Sequence, residues 1–217
     1  MMIGMMIRHL LAAPMLLLAL TAASPRKTPA PAPLPDLVRV TLTTELGPIV
    51  LELDNQHAPI TTRNFVRYVD GKRFDGVTFY RVMRLPYGTQ PSGLIQAGPR
   101  GDPKRVLPPI AHETTTQTGI RHVAGTVSMA RFAPGTATGD FSILLSDMPG
   151  LDADAPGQSD PAGFAAFGHV VEGMDVVRRI YDVPLSPTLG AGVMKGQMIA
   201  KAVKVVSARR VVATIAG

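Results

Sequence analysis

The chain has 217 residues, no cysteine and a formal net charge of +6 at neutral pH. The lack of cysteine excludes disulfides, thiolate metal sites and cysteine nucleophiles. Hydrophobic residues make up 46% of the chain and charged residues 18%, which is the composition of a globular protein with a sizeable core. The positive charge is dispersed and tryptophan is absent from the sequence, so we expect a solvated surface and no nucleic-acid partner.

The first 23 residues have the order of features found in a secretory signal peptide. Arg8 and His9 precede an apolar run from Leu10 to Leu20, and small residues follow up to Ala23. The alternative is a retained membrane anchor, but the run is too short to span a bilayer comfortably. We therefore expect cleavage after Ala23, a periplasmic or secreted location, and no stable membrane span in the mature protein.

Residues 24–36 differ in composition from the remainder of the chain. They are rich in proline and alanine, which favours an extended, semi-rigid spacer. The folded domain is predicted at residues 37–217, where β-type alternation begins. Two alternating runs there are separated by Glu45 to Pro48, which predicts a hairpin. A helix comes next, with Thr61 or Thr62 near its N-cap and its end at Gly71.

Short apolar runs dominate the rest of the chain, and one late helical pattern interrupts them. Strands are predicted at residues 78–83, 93–98, 124–131, 141–146, 163–171 and 201–212, and the late helix at 172–180. Residues 84–92 predict a loop, because prolines and a glycine break the pattern. Many short strands with one early and one late helix indicate a mainly β fold, a closed β-barrel capped by two α-helices.

Several short matches to functional motifs fail on their context. Arg100-Gly101-Asp102 lies in a turn-type sequence, and the glycines from Gly190 to Gly196 have the wrong spacing for a dinucleotide fingerprint. Asp152 begins an incomplete calcium-loop pattern. The five histidines show no ligand spacing, and none pairs with a serine in a known nucleophile motif. The sequence therefore gives no support for hydrolase or metal chemistry, and we expect neither a metal nor a cofactor.

The order of the runs is similar to that of one known family. The segments FDGVTFYRVM, GLIQAG, GTVSMAR and FGHVVEGMDVVRRI, with their neighbours from about Val38 to Val212, resemble the cyclophilin family of peptidyl-prolyl cis-trans isomerases. The resemblance implies a closed eight-stranded antiparallel barrel with two capping helices. It also implies an enzyme without a cofactor that binds proline-containing polypeptide segments. With the predicted export, these are segments of envelope or secreted proteins, and we expect the enzyme to be a monomer.

Two polar residues interrupt apolar strands in this sequence, and the resemblance assigns both of them a role. Arg81 matches the family's catalytic arginine, and Gln96 matches the glutamine that orients it and binds the substrate backbone. Rotation about an X-Pro bond is slow because amide resonance opposes it, with a barrier of about 18–20 kcal/mol. A guanidinium that donates a hydrogen bond to the imide nitrogen favours the twisted state over the planar one.

The residues that match the family's proline pocket agree with the usual residue types at some positions and differ at others. Leu94, Ala130 and Leu151 keep the family's character, and Phe164 stands where a histidine or tyrosine is usual. Ser142 replaces the phenylalanine that forms the pocket floor. We predict that these five residues bind the substrate proline.

Two further positions that often carry aromatic residues are Gly93 and Gly150 in this chain. Losing one buried aromatic side chain from a pocket costs about 1–3 kcal/mol, so the pocket is predicted to bind proline weakly unless it is refilled. Tyr87 and Phe164 are candidates to refill it. Arg131 borders the peptide groove or belongs to a solvated edge.

Three functions remain open on the sequence alone. The first is an exported peptidyl-prolyl isomerase that assists protein folding, which Arg81 and Gln96 favour. The second is a non-catalytic peptide-binding module, which Ser142 and Gly93 favour. The third is a scaffold that binds a partner through the loops at residues 84–92 and 150–163, whose length and composition are unusual.

Overall fold

The computed structural model describes residues 33–157 and 160–211; the predicted signal peptide and most of the predicted spacer lie outside them. Eight antiparallel strands form a closed barrel in the order β1-β2-β7-β5-β6-β4-β3-β8, which confirms the predicted barrel. The strands are β1 Leu37–Thr44, β2 Gly47–Asp54, β3 Thr78–Arg84, β4 Gly93–Gly98, β5 Thr126–Met129, β6 Phe141–Leu144, β7 Ala165–Glu172 and β8 Met198–Arg210.

The first two strands show how the sequence builds the barrel wall. β1 and β2 pair from Leu37 with Asp54 to Thr44 with Gly47, which confirms the predicted hairpin; its turn has two residues, because Gly47 and Pro48 belong to β2. Alternate residues point inward, because successive side chains of a strand face opposite sides. The inward side chains of this hairpin are at most 4% exposed: Val38, Val40, Leu42, Ile49, Leu51 and Leu53.

Two long helices pack against the barrel, as predicted. They are α1 (Pro59–Asp70) and α3 (Met174–Asp182). A third helix, α2 (Thr115–Thr118), was not predicted because it is a single turn. Thr114 and Gln117 form a reciprocal capping box at its start, and Gly119 ends it in a left-handed conformation.

The predicted cap of α1 is wrong. The N-cap residue is Ala58, and it makes no side-chain cap hydrogen bond. The carboxylate of Glu113 caps the helix instead, accepting hydrogen bonds from the backbone N–H groups of Ile60 (3.0 Å) and Thr61 (2.7 Å) and from the Thr61 hydroxyl (2.6 Å). A negative charge at this end satisfies N–H groups without partners and interacts favourably with the helix dipole.

Aromatic side chains fill the barrel centre. One of them, Phe141, shows which residues of β6 point inward. Phe65 packs against Phe74, Phe141 and Phe167 at centroid distances of 4.7, 5.2 and 5.4 Å. Because Phe141 points inward, the next residue, Ser142, belongs to the outer face of the barrel. In the described part of the chain, no helix is both long and apolar enough to cross a membrane.

Candidate active site

A β-bulge in β3 directs Arg81 outward. The register between β3 and β4 shifts between Phe79 and Arg81, so Tyr80 is an extra residue in the strand. Phe79 and Val82 are both fully buried in the core although three positions separate them, which strict alternation does not allow. The bulge thus turns the side chain of Arg81 away from the core, where a charge would be costly, to the outer face.

The strand register brings three of the predicted site residues together. Arg81 pairs with Gln96, Gln96 with Ser142, and Ser142 with Ser128, across β3, β4, β6 and β5. We call these four residues the polar row. The predicted residues Arg81, Gln96 and Ser142 are therefore direct cross-strand neighbours on one face of the barrel.

An aliphatic cluster lies two residues further along the same strands. Met83 pairs with Leu94, and Leu94 pairs with Leu144. These residues pack with three others outside the main core, and we call the whole set the aliphatic cluster: Met83, Leu85, Leu94, Leu144, Met148 and Leu151. The predicted pocket residues Leu94 and Leu151 thus belong to one apolar patch next to the polar row.

Two glutamines hold the guanidinium of Arg81. Its Nη1 donates a hydrogen bond to Oε1 of Gln96 (2.8 Å), and its Nε donates to Oε1 of Gln197 (2.9 Å). Gln197 lies just before β8 and donates through Nε2 to the carbonyl of Val193 (2.8 Å). Gln197 was not predicted to belong to the site, since nothing near it in the sequence indicates one.

A second set of hydrogen bonds fixes Gln96. Its Nε2 donates to the hydroxyl of Tyr80 (2.7 Å), and that hydroxyl donates to Oδ1 of Asp140 (2.9 Å). Asp140 also accepts a hydrogen bond from the backbone N–H of Arg100 (3.1 Å). The donors therefore run in one direction, from Gln96 through Tyr80 to the carboxylate, and the amide oxygen of Gln96 is left for Arg81. Neither Tyr80 nor Asp140 was predicted to belong to the site.

Burial shifts the ionisation of these groups. It raises the pKa of Tyr80 far above its usual range, and the negative charge of Asp140 adds to this effect, so the phenol keeps its proton. Burial also raises the pKa of Asp140, although the hydrogen bond from Tyr80 opposes the shift. Burial lowers the pKa of Arg81, which stays charged at neutral pH because arginine ionises only in strong base.

Arg131 does not belong to a solvated edge. Its side chain is 1% exposed, forms an ion pair with Asp160 (2.7 Å) and donates a hydrogen bond to the carbonyl of Gly163. Its guanidinium carbon also lies 4.9 Å from the ring centroid of Phe164, a cation–π contact. The predicted pocket residue Phe164 is thus held against a buried arginine.

Backbone hydrogen bonds position Phe164 and Ala130. The backbone N–H of Phe164 donates to the carbonyl of Leu151 (2.8 Å), which brings these two predicted residues together. The N–H of Ala130 donates to the carbonyl of Asp140 (2.9 Å) at the end of β5. Ala130 therefore lies beside Asp140, which is two residues from Ser142 of the polar row.

The backbone conformation explains why position 93 carries glycine and not the aromatic residue that is usual in the family. The φ angle of Gly93 is +134°, and a Cβ atom there would lie 1.9 Å from the carbonyl oxygen of Met83. Only glycine fits this conformation. Tyr87 remains 67% exposed, so its ring does not replace a buried aromatic side chain.

A buried Ser-His-Asp array adjoins the polar row, because its serine, Ser128, is a member of that row. His122 Nδ1 is 2.7 Å from Oδ1 of Asp152, and Nε2 is 2.8 Å from Oγ of Ser128. No short sequence motif indicates this arrangement, because Asp152 is 30 residues from His122, although Ser128 is only six residues from it. Ser128 and His122 are at most 2% exposed, so no substrate carbonyl reaches the serine. The array instead joins the segment after Leu151 to strand β5.

Comparison with known proteins identifies the family. The model of the family "Cyclophilin type peptidyl-prolyl cis-trans isomerase/CLD" matches residues 39–209. The chain is 37% identical over 182 residues to peptidyl-prolyl cis-trans isomerase A of Dickeya dadantii (strain 3937), covering 82% of this chain and 86% of that protein. It is 38% identical over 151 residues to the peptidyl-prolyl cis-trans isomerase of Acinetobacter baylyi, covering 68% and 73%.

The fold agrees with this relationship. A crystal structure of a cyclophilin-type isomerase from Cryptosporidium parvum superposes with a TM-score of 0.63 at 16% identity, covering 81% of this chain and 98% of that one. The chain therefore belongs to the cyclophilin-type peptidyl-prolyl cis-trans isomerases, and it catalyses the rotation of X-Pro peptide bonds. The predicted enzyme is confirmed in preference to the non-catalytic module.

Proposed function

We propose that Arg81 is the catalytic residue and that Gln96 orients it. In the twisted transition state the proline nitrogen regains its lone pair, which can then accept a hydrogen bond. The guanidinium of Arg81 lies on the outer face and can donate to this nitrogen. Because the planar ground state offers a much poorer acceptor, the interaction lowers the barrier instead of merely binding the substrate.

This proposal rests on which N–H groups of Arg81 already donate hydrogen bonds within the protein. Nε is bonded to Gln197 and Nη1 to Gln96, whereas no described residue accepts a hydrogen bond from Nη2. Two bonds from different strands restrict the rotation of the side chain, so Nη2 points in a fixed direction. Such preorganisation lets the group act without reorganising during the reaction.

Leu94, Ala130, Ser142, Leu151 and Phe164 would surround the substrate proline beside Arg81. Leu94 and Leu151 belong to the aliphatic cluster, which offers an apolar surface to the proline ring. Phe164 lies next to Leu151. The Cryptosporidium parvum cyclophilin was crystallised in the presence of the dipeptide Ala-Pro. We take Ala-Pro as the simplest substrate unit for this chain.

NMR exchange spectroscopy on an Ala-Ala-Pro-Ala peptide tests these roles. Cis-trans exchange is expected to be fast with the native protein and about 100-fold slower with Arg81→Ala, the typical loss when a transition-state donor is removed. Arg39→Ala is the matched control, since Arg39 is exposed and pairs with Glu52 on the other side of the barrel. Equal rates for Arg81→Ala and the control would place the chemistry elsewhere.

We further propose that the substrates are segments of envelope or secreted proteins. The supporting features are the signal-like residues 1–23 and the proline-rich residues 24–36. The closed barrel leaves no free sheet edge, which supports a monomer. Fractionation of cells that express the full chain tests export: a periplasmic product starting at Ser24 is expected, and a cytoplasmic product with an intact N-terminus would contradict it.

A further inference from the structure

An open cavity of about 880 Å³ adjoins the aliphatic cluster. Two loops form it, the one between β3 and β4 (residues 85–92) and the one after β6 (residues 145–151). Four of its lining residues, Met83, Leu85, Met148 and Leu151, are members of the aliphatic cluster. The cavity and the proposed proline site therefore share one wall, and an extended peptide can contact both.

The loop at residues 85–92 is held in place, so the cavity exists before a substrate binds. The N–H of Leu85 donates to the carbonyl of Ser92 (2.9 Å), and the hydroxyl of Tyr181 on α3 donates to the same carbonyl (2.8 Å). The Ser92 and Ser146 hydroxyls, one from each loop, are 3.1 Å apart. Because the loop is already ordered, little conformational entropy is lost when a ligand enters.

We propose that this cavity is a subsite for a large apolar side chain that lies within two residues of the substrate proline. This rests on the proposed role of the polar row. Met83 and Leu94 are two residues from Arg81 and Gln96, a distance of roughly 7 Å along a strand. An extended peptide covers that distance in about two residues, so a proline at Arg81 places a neighbouring side chain over the cavity. The lining favours phenylalanine or leucine over alanine.

The cavity can be closed by one substitution. Gly150 lines it, and a Cβ atom at this position would meet no atom within 4 Å. Gly150→Trp is therefore expected to fit without disturbing the backbone and to occupy the space. Thr43→Trp is the matched control, because Thr43 is exposed on β1, which does not pair with any strand of the polar row.

The experiment measures kcat/KM by NMR exchange for Ala-Ala-Pro-Ala-Ala and for four variants with one phenylalanine, placed at each position within two residues of proline. One phenylalanine position is expected to raise kcat/KM about tenfold or more, from burial of the ring. Gly150→Trp is expected to reduce the ratio of kcat/KM between the best phenylalanine peptide and the all-alanine peptide to about one, even where the new ring itself contacts proline and changes the all-alanine value, whereas Thr43→Trp leaves this ratio unchanged. No gain at any position overturns the subsite. An equal loss for all peptides in Gly150→Trp also overturns it, since the cavity would then only support the catalytic residues.

A failure of the proposed catalytic site is distinguishable from a failure of the subsite. If no peptide is isomerised in a manner that depends on Arg81, the subsite is tested by binding alone. Methyl resonances of Leu85 and Met148 are then followed during titration with the phenylalanine peptides. Shifts that saturate, and that Gly150→Trp abolishes, support the subsite independently of catalysis. Unchanged methyl resonances overturn it.

Discussion

The hydroxyl of Tyr80 donates a hydrogen bond to the carboxylate of Asp140 across 2.9 Å, and this bond decides which end of Gln96 faces Arg81. Because the only proton of the phenol goes to Asp140, the phenolic oxygen accepts from the amide nitrogen of Gln96. The amide oxygen is then left for the guanidinium. The direction of the hydrogen bonds at the site is thus set by one partly buried carboxylate.

Tyr80→Phe removes the hydroxyl that fixes the orientation of the Gln96 amide. The variant is expected to lower kcat/KM about fivefold, the equivalent of one hydrogen bond of about 1 kcal/mol. NMR exchange with Ala-Ala-Pro-Ala measures the change. Tyr68→Phe is the control, because Tyr68 is also buried and its hydroxyl accepts a hydrogen bond from the N–H of Leu107 (2.8 Å) inside the core. If both variants slow catalysis equally, loss of stability and not the orientation of Gln96 is the cause.

Gln197→Met keeps the length of the side chain but removes the acceptor for Nε of Arg81. We expect kcat/KM to fall about fivefold, because Arg81 then has only Gln96 to orient it. Gln197→Glu keeps an oxygen acceptor and is expected to retain most of the activity. Hydrogen exchange of the Arg81 Nε–H, followed by NMR, is expected to accelerate in Gln197→Met only. Full activity of Gln197→Met would show that the bond has no role in positioning.

Ser142→Phe restores the aromatic floor that the family resemblance implies. Ser142 lies on the outer face between Gln96 and Ser128. The new ring would therefore enlarge the apolar surface that the aliphatic cluster offers to proline. We expect kcat/KM for alanine-flanked proline peptides to rise about tenfold through a lower KM. Ser207→Phe on β8 is the control. A fall in kcat for Ser142→Phe would mean that the ring displaces Arg81 or Gln96.

The stability of the fold is expected to depend on pH through His122. Burial lowers the pKa of His122, although the hydrogen bond to Asp152 opposes the shift. An unfolded chain binds a proton at the ordinary histidine pKa of about 6.5, and the folded protein binds it only at lower pH. The full stability is therefore present above pH about 6.5, and the free energy of unfolding falls as the pH decreases below that value.

Urea unfolding between pH 7.5 and 5 measures this effect. His122→Gln, which does not titrate, is expected to show a flatter dependence over the same range. Two charged residues lie close to the imidazole: Asp152 contacts it directly, and Arg121 lies 3.6 Å from that carboxylate. Both are kept in the two proteins compared, so that His122 is the only group that differs. An identical pH dependence in the two proteins would assign the titration to other groups.

Gly93→Ala is expected to destabilise the protein by about 2 kcal/mol or more. The new Cβ would overlap the carbonyl oxygen of Met83, and the φ angle of +134° is unfavourable for any residue with a side chain. Thermal unfolding measures the loss. Gly150→Ala is the matched control, because its Cβ would enter open space. Equal melting temperatures would show that the loop at residues 85–92 adjusts easily.

The barrel was predictable from the residue pattern, and the family resemblance supplied its two catalytic candidates. Alternating apolar residues predict strands because one face of each strand is buried, and the resulting succession of strands and helices is present in the structure. The resemblance placed Arg81 and Gln96 on strands that are paired in the structure. Their contact was implied by the role that the resemblance assigns to Gln96, which is to orient the arginine.

The groups that hold these two residues could be identified only in three dimensions. Gln197 is 116 positions from Arg81, and Asp140 is 60 positions from Tyr80. The bulge at Tyr80 is a property of strand register, which the residues of one strand do not specify. Hydrogen bonds between distant polar side chains leave no periodic pattern in the chain, so they appear only once the barrel has closed and brought its strands side by side.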